Sequence, residues 1–185
     1  MKFDLTAEFY LIDSDGTSRK VACKGNDLFV QNFLIMWSYS FTGISISALQ
    51  TNNTNVSISV QSSWPVNAPA GNANYGPMVG TGTTAPQVTN YNLQTKIAHG
   101  SGSGQLLYGA TSLTAATTSG STRFWKASRT FTNSSGSSIT VNEVGLVLAY
   151  QSTYYIMIAR DVLSSGVVIN NGQVGTLVYT FAITV

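Results

Sequence analysis

Apolar and polar residues alternate through the first twelve positions of the chain. The apolar positions are Phe3, Leu5, Ala7, Phe9 and Leu11. Because successive side chains of a strand point to opposite faces, this pattern predicts a strand with one buried face. The turn sequence DSDG at 13–16 and the segment TSRKVAC that follows it predict a second strand that returns beside the first.

The period changes in the next segment, from Gly25 to Phe41. Its apolar residues recur at spacings of four, three and one, and they are Phe29, Phe33, Met36 and Trp37. Such spacings are typical of the apolar stripe of a helix that faces a core. Asn26 or Asp27 can cap the helix, since their side-chain oxygens accept hydrogen bonds from backbone N–H groups. The sequence therefore predicts one short helix at about residues 28–40.

Two alternating segments, ISISALQ and NVSISVQ, flank the turn TNNTN and predict a second hairpin. Periodicity is then lost, and all four prolines lie between positions 65 and 89. A loop of this length in a compact domain is usually functional or disordered. We therefore predict a long excursion at about 62–95 that docks on neighbouring proteins, with ligand binding as the alternative. Its candidate contact residues are Trp64, Pro65, Tyr75, Pro77, Gly80, Gly82 and Pro86.

Short strands follow the excursion to the end of the chain. They are predicted at about 105–110, 122–132, 138–149, 153–160, 166–170 and 176–184. With the two hairpins, about ten strands and one helix indicate an all-β fold, a β-sandwich of jelly-roll or immunoglobulin-like type. A length of 185 residues fits a single domain over 1–185.

Composition supports the all-β interpretation and says something about the surface. Charged residues make up 9% of the chain, against roughly 25% in ordinary soluble domains. Aromatic residues reach 11% and the hydrophobic fraction is 43%, so the chain does not have the composition of a disordered protein. Because a surface poor in charge is poorly protected against self-association, we expect partners, including copies of the chain, to cover part of it.

Charge and hydropathy also argue against some partners and locations. The basic residues are scattered and the formal net charge is +2, which gives no patch for nucleic acid. No apolar run approaches the roughly 20 residues of a membrane span. The N-terminal sequence is interrupted by Asp4 and Glu8 and does not resemble a signal peptide. We therefore expect synthesis in the cytosol, without export or membrane insertion.

The candidate catalytic and metal-binding residues are few. Cys23 is the single cysteine and His99, beside the glycine-rich GSGSG segment, the single histidine. The acids in the DSDG turn resemble the start of a calcium loop, but the further ligands and closing glutamate of an EF-hand do not follow. The glycine runs lack the Lys-Ser/Thr of a phosphate loop. We therefore expect no enzyme activity, metal or cofactor.

One acid, Glu143, stands inside an apolar run that predicts a buried strand. On a two-residue period it shares a face with Val141 and Gly145. An ionised acid in such a place must be paired, because an unpaired buried charge is too costly. Arg160, on the following strand, is the predicted partner, since a hairpin would bring the two together, and Arg129 is the second choice. A structural ion pair is favoured over a catalytic acid.

Four stretches of the sequence are considered together: VQNFLIMW, VGTGTTAPQVTNYNL, RTFTNSSGSSITVNEVGLVL and ARDVLSSGVVINNGQVGTLVYTFAITV. They contain a G-x-G-x-x-x-P stretch, a Val-x-Glu-x-Gly-Leu core and an Arg-Asp pair before the last strands. The residues of these motifs are Gly80, Gly82, Pro86, Glu143, Gly145, Leu146, Arg160 and Asp161. With these features the chain resembles structural proteins of tailed bacteriophages and related viruses.

The resemblance implies a virion component on a β-sandwich, without a known active site. We accordingly expect a non-enzymatic virion protein, in capsid decoration or in the tail, which self-associates and docks on other virion proteins. The alternative is a carbohydrate-binding module that attaches the virion to a host-surface glycan. Exposed aromatic residues near Trp64 that line a concavity would favour this alternative.

Overall fold

The computed structural model describes residues 1–13, 15–25, 29–58 and 63–185. Its elements in chain order are β1 (Lys2–Ile12), β2 (Ser18–Gly25), α1 (Gln31–Thr42), β3 (Ile46–Leu49), β4 (Asn55–Ile58), β5 (Gly76–Gly80), β6 (Leu107–Leu113), β7 (Thr117–Ser119), β8 (Thr122–Thr132), β9 (Ile139–Tyr150), β10 (Tyr154–Ile169) and β11 (Val174–Thr184). The strands pair antiparallel throughout the described residues. The all-β prediction is confirmed.

Two larger sheets and one small hairpin make up the fold. The six-stranded sheet has the order β2-β1-β11-β8-β6, with β7 paired to β8, and the three-stranded sheet has the order β10-β9-β5. The pair β3-β4 stands apart from both. Both hairpins predicted from alternating segments are therefore present. One continuous apolar cluster joins residues of the two larger sheets, as in a β-sandwich.

Strand β1 shows how the alternating pattern builds the six-stranded sheet. Leu5, Ala7 and Phe9 are buried in the core, as predicted. The intervening side chains lie on the other face, where Lys20 of β2 donates a hydrogen bond to Glu8 at 3.0 Å. A partly exposed pair of this kind contributes little to stability, so burial of the apolar face is what holds the strand.

The three-stranded sheet is buried on both of its faces. Leu146 and Leu148 of β9 belong to the main core, whereas Val147 between them belongs to a second cluster. Because alternate side chains of a strand point to opposite faces, the second cluster lies on the other side of the sheet. Its remaining members are Val30, Met78, Leu93 and Met157. Burial of both faces explains why the sequence of β9 is an almost unbroken apolar run.

The helix begins three residues later than predicted. It spans Gln31–Thr42 and its N-cap is Val30, which makes no side-chain capping bond. The predicted caps, Asn26 and Asp27, lie outside the described residues. The buried Asn32 instead ties the helix to β3, since its amide donates to the Leu49 carbonyl at 2.8 Å and accepts from the Leu49 N–H at 3.3 Å.

Two other predictions about the strands need correction. The segments predicted at 153–160 and 166–170 form one strand, β10, which passes through a register shift between Val162 and Val167 instead of turning. The excursion predicted without secondary structure contains β5, which pairs with β9. No helix of the described residues is long and apolar enough to cross a membrane.

Candidate functional site

The segment at 65–97, hereafter the covering segment, packs against the chain's own sheets. Its buried apolar side chains are Val66, Ala68, Met78, Val79, Leu93 and Ile97. Leu93 lies in the second cluster, over the outer face of the three-stranded sheet. The predicted docking on neighbouring proteins is not needed to order the excursion. Its order comes from within the chain, through this burial and through two sets of polar contacts described next.

The first set surrounds the Glu143 carboxylate, which is fully buried at 0% exposure. Its Oε1 accepts hydrogen bonds from the backbone N–H groups of Gly82 at 3.1 Å and Thr95 at 2.7 Å. Its Oε2 accepts from the N–H of Gln94 at 3.0 Å. Since hydrogen bonds to an ionised carboxylate are stronger than neutral ones, Glu143 fastens two separate stretches of the covering segment to β9.

Arg160 of β10 completes this set and reaches further along the covering segment. Its Nε donates to Glu143 Oε2 at 2.9 Å and its Nη2 lies 2.8 Å from the same oxygen. Its Nη1 donates to Asn90 Oδ1 at 3.0 Å and its Nη2 to the Thr84 carbonyl at 3.1 Å. The structure thus brings together the first-choice partners predicted from the sequence, and both side chains of the pair are buried.

The glycines of the G-x-G stretch stand against this carboxylate. A Cβ at Gly80 would lie 2.5 Å from Glu143 Oε1 and 2.6 Å from the Thr95 carbonyl oxygen. A Cβ at Gly82 would also lie 2.5 Å from Glu143 Oε1. All three distances are shorter than real Cβ contacts, so only glycine lets the backbone approach the acid so closely.

The face predicted for Glu143 needs a correction. Val141, expected beside it, belongs to the main core between the sheets. Gly145 does share the face of Glu143, as predicted, because a Cβ there would meet Leu93 of the covering segment at 2.9 Å. The change of face falls where β10 shifts its register against β9, and the sequence pattern of β9 alone does not show such a shift.

The second set of contacts is made by Arg129 of β8, which is 1% exposed. Its guanidinium donates to five backbone carbonyls, and the donor–acceptor distances are 2.8 Å to Gly109, 3.0 Å to Tyr75, 3.4 Å to Pro77, 3.2 Å to Pro69 and 2.5 Å to Asn72. A guanidinium has five N–H donors, so every one is used. Arg129, the second-choice partner of Glu143, has a different role: it organises the first half of the covering segment.

The surroundings of Arg129 are aromatic as well as polar. Its guanidinium carbon lies 4.9 Å from the centre of the Tyr108 ring, a cation–π distance. Burial lowers the pKa of Arg129 to about 10, so the side chain is still a cation at neutral pH. Burial also raises the pKa of the Tyr108 phenol, whose hydroxyl donates to the Ile97 carbonyl at 2.7 Å.

The other residues weighed for chemistry have local contacts. His99 Nδ1 accepts a hydrogen bond from the Tyr108 N–H at 3.0 Å. Asp13 accepts from Arg19 at 2.8 Å, and Asp15 accepts at 2.8 Å from the N–H of Thr17, which directly follows the predicted turn. Cys23 is exposed. No cluster of three or more potential metal ligands occurs within the described residues.

The candidate contact residues of the excursion fall into two groups. Pro77, Gly80 and Gly82 are buried by the chain itself, so they are not accessible to a partner. Pro86 is exposed, and the partly exposed residues are Trp64, Pro65 and Tyr75. Of the candidate contact residues, only this second group is therefore available for docking.

Trp64 takes part in an aromatic groove that the sequence did not reveal as a unit. The groove has a volume of about 310 Å³ and its lining includes Phe3, Phe33, Trp37 and Trp64. Ring centroids are 5.5 Å apart for Phe3 and Trp37 and 5.3 Å apart for Phe33 and Trp37. Among the described residues the lining offers one hydroxyl, that of Ser40, which donates to the Met36 carbonyl, and the indole N–H groups of Trp37 and Trp64. The signal in the sequence is the helical spacing of Phe33 and Trp37, which by itself predicts a face turned to the core.

No protein-family model, curated protein or solved structure matches this chain.

Proposed function

We propose that the chain is a non-enzymatic structural component of a tailed-phage-like virion. It decorates the capsid or builds part of the tail, and it acts by self-association and by docking on neighbouring virion proteins. Its place is the virion, after synthesis in the host cytoplasm.

The observation that carries the proposal is the meeting of three separate motifs at one point. The G-x-G stretch, the Val-x-Glu-x-Gly-Leu core and the Arg-Asp pair carry the resemblance to virion proteins. Their members Gly82, Glu143 and Arg160 are joined by direct contacts. The motif acid is thus engaged by four hydrogen-bond donors that hold the fold, which supports a structural use over a catalytic one.

The aromatic groove bears on the alternative of glycan binding. Trp64 does line a concavity, as that alternative expects. Sugar recognition also needs several polar groups placed to bond the hydroxyls, and the described lining is mainly apolar, with one hydroxyl at Ser40 and two indole N–H groups. A groove lined mainly by apolar atoms fits the apolar side chains of a protein better than a sugar, which favours assembly over glycan binding.

Virion association can be tested with a tag at the C-terminus, where Val185 is 82% exposed. We expect a gold-labelled antibody to mark the tag at regular positions on particles purified from cells that make the tagged chain. The control is the same tag on an unrelated cytoplasmic protein, which reports co-purification. Equal labelling of the particles by the tagged chain and by the unrelated protein would contradict the proposal. So would separation of the tagged chain from the particles in a density gradient.

A further inference from the structure

The helix α1 leaves an apolar ridge on the surface beside the aromatic groove. Leu34 is 64% exposed and Phe41 is 78% exposed, and Trp37 lies between them along the helix. The Trp37 and Phe41 rings are 6.0 Å apart. Because residues three and seven positions apart lie on one side of a helix, these side chains form one ridge, which Ile44 extends beyond the helix end.

We propose that this ridge and the adjacent groove form the contact surface for a second copy of the chain. Ridge and groove share Trp37 and lie on one face. A two-fold axis through that face lets the ridge of each copy enter the groove of the other, which is the self-complementary arrangement of most dimers. The choice of a second copy rests on the proposed assembly function.

The charges at this surface favour a second copy over a charged partner. The helix sequence QNFLIMWSYSFT has no ionisable side chain other than one tyrosine. The α1 helices of two copies can therefore meet without like-charge repulsion. A nucleic acid or an anionic membrane would find no basic side chain on this helix to bind.

The size of the surface also fits a dimer. The large side chains that are most exposed on the proposed contact surface are Phe3, Leu34, Trp37, Phe41 and Ile44. At their exposures they present roughly 500 Å² of apolar area, which is at the upper end for an isolated patch on a monomer. A standard interface covers about 800 Å² per partner and is about 60% apolar, so this area matches the apolar share of one side.

The test compares serine variants of the ridge with a matched control. We expect the purified chain to sediment as a concentration-dependent dimer. Phe41→Ser and Leu34→Ser should each raise the dimer dissociation constant about tenfold or more, as loss of a central apolar contact does. Leu113→Ser is the control, because Leu113 is also an exposed leucine, at 45%, but lies on β6 outside the surface. Circular dichroism checks that all variants keep the fold.

A second measurement needs no variant. Hydrogen exchange of the α1 amides in the unchanged chain should slow as protein concentration rises. A monomer at all concentrations, or a dimer that the Leu113 and Phe41 variants weaken equally, would overturn the inference. So would binding of a glycan array or of phosphatidylcholine vesicles by a monomeric chain, if Phe41→Ser abolishes it. These tests use the purified chain without particles, so their failure is distinct from failure of the virion proposal.

Discussion

Replacing Glu143 by alanine is expected to lower the free energy of unfolding by about 3–5 kcal/mol, the usual loss when one partner of a buried ion pair is removed. The Arg160 cation would stay buried without its carboxylate. The N–H groups of Gly82, Gln94 and Thr95 would lose their acceptor at the same time. Urea denaturation followed by circular dichroism measures the change.

The Glu143→Gln variant should fall between the parent and the alanine variant. Its amide oxygen can replace one carboxylate oxygen. Its NH₂ group then faces the hydrogen-bond donors of the other oxygen, which lose their acceptor. The expected loss is about 1–3 kcal/mol, the cost of buried donors without acceptors.

Glu8→Ala is the matched control for both Glu143 variants. Glu8 pairs with Lys20 at the surface, and such pairs contribute about 1 kcal/mol or less. An alanine variant at Glu143 no less stable than the Glu8 variant would refute the structural assignment and return Glu143 to the possible functional acids.

Replacing Arg129 by methionine is expected to cost about 4 kcal/mol or more, because five backbone carbonyls lose their donors together. Arg129→Lys should be milder, since an ammonium group has three donors at one point. The single ammonium group cannot, however, reach all the carbonyls that surround the wider, planar guanidinium of the parent. The order of stability we expect is parent, lysine variant, methionine variant.

Arg123→Met provides the matched control for Arg129. Arg123 is also on β8 but is exposed, and it donates to the Thr118 hydroxyl at 3.2 Å and the Ala116 carbonyl at 3.4 Å. Its loss should change the free energy of unfolding by about 0.5 kcal/mol or less. Equal effects of the two methionine variants would show that the buried contacts of Arg129 do not hold the covering segment. Thermal and urea melts of the four proteins provide the comparison.

The sequence predicted the parts of the fold that depend on local pattern. Alternation identified β1, and the continuous apolar run identified β9 as a buried strand. The pairing of Glu143 with Arg160 followed from the hairpin that joins their strands, because neighbours in sequence are neighbours in such a sheet. The pattern also placed the helix, with an error of three residues at its start.

Strand β5 was missed because its sequence, GPMVG, consists largely of residues that usually interrupt strands. Pro77 is tolerated there because β5 is an edge strand, which needs fewer N–H donors than a central strand. The pair Met78 and Val79 was the available signal, since the two side chains enter opposite apolar clusters.

The role of Arg129 had no signal in the sequence. Its acceptors are backbone carbonyls 20 to 60 positions away, and a carbonyl is the same group at every residue. Their convergence depends on the path of the covering segment, which has no periodicity. The aromatic groove likewise depends on how α1 lies against β1, and helical spacing alone does not distinguish a buried stripe from a partly exposed one.

We conclude that Glu143 is a structural anchor for the covering segment. The decisive measurement is hydrogen exchange of the Gly82, Gln94 and Thr95 amides, followed by NMR in the parent and in Glu143→Ala. In the parent we expect these amides to be as protected as those of β9. In the variant we expect much faster exchange, because their acceptor is gone, and we expect no change at the same amides in Glu8→Ala. Unprotected amides in the parent, or protection that survives in Glu143→Ala, would contradict the anchoring role.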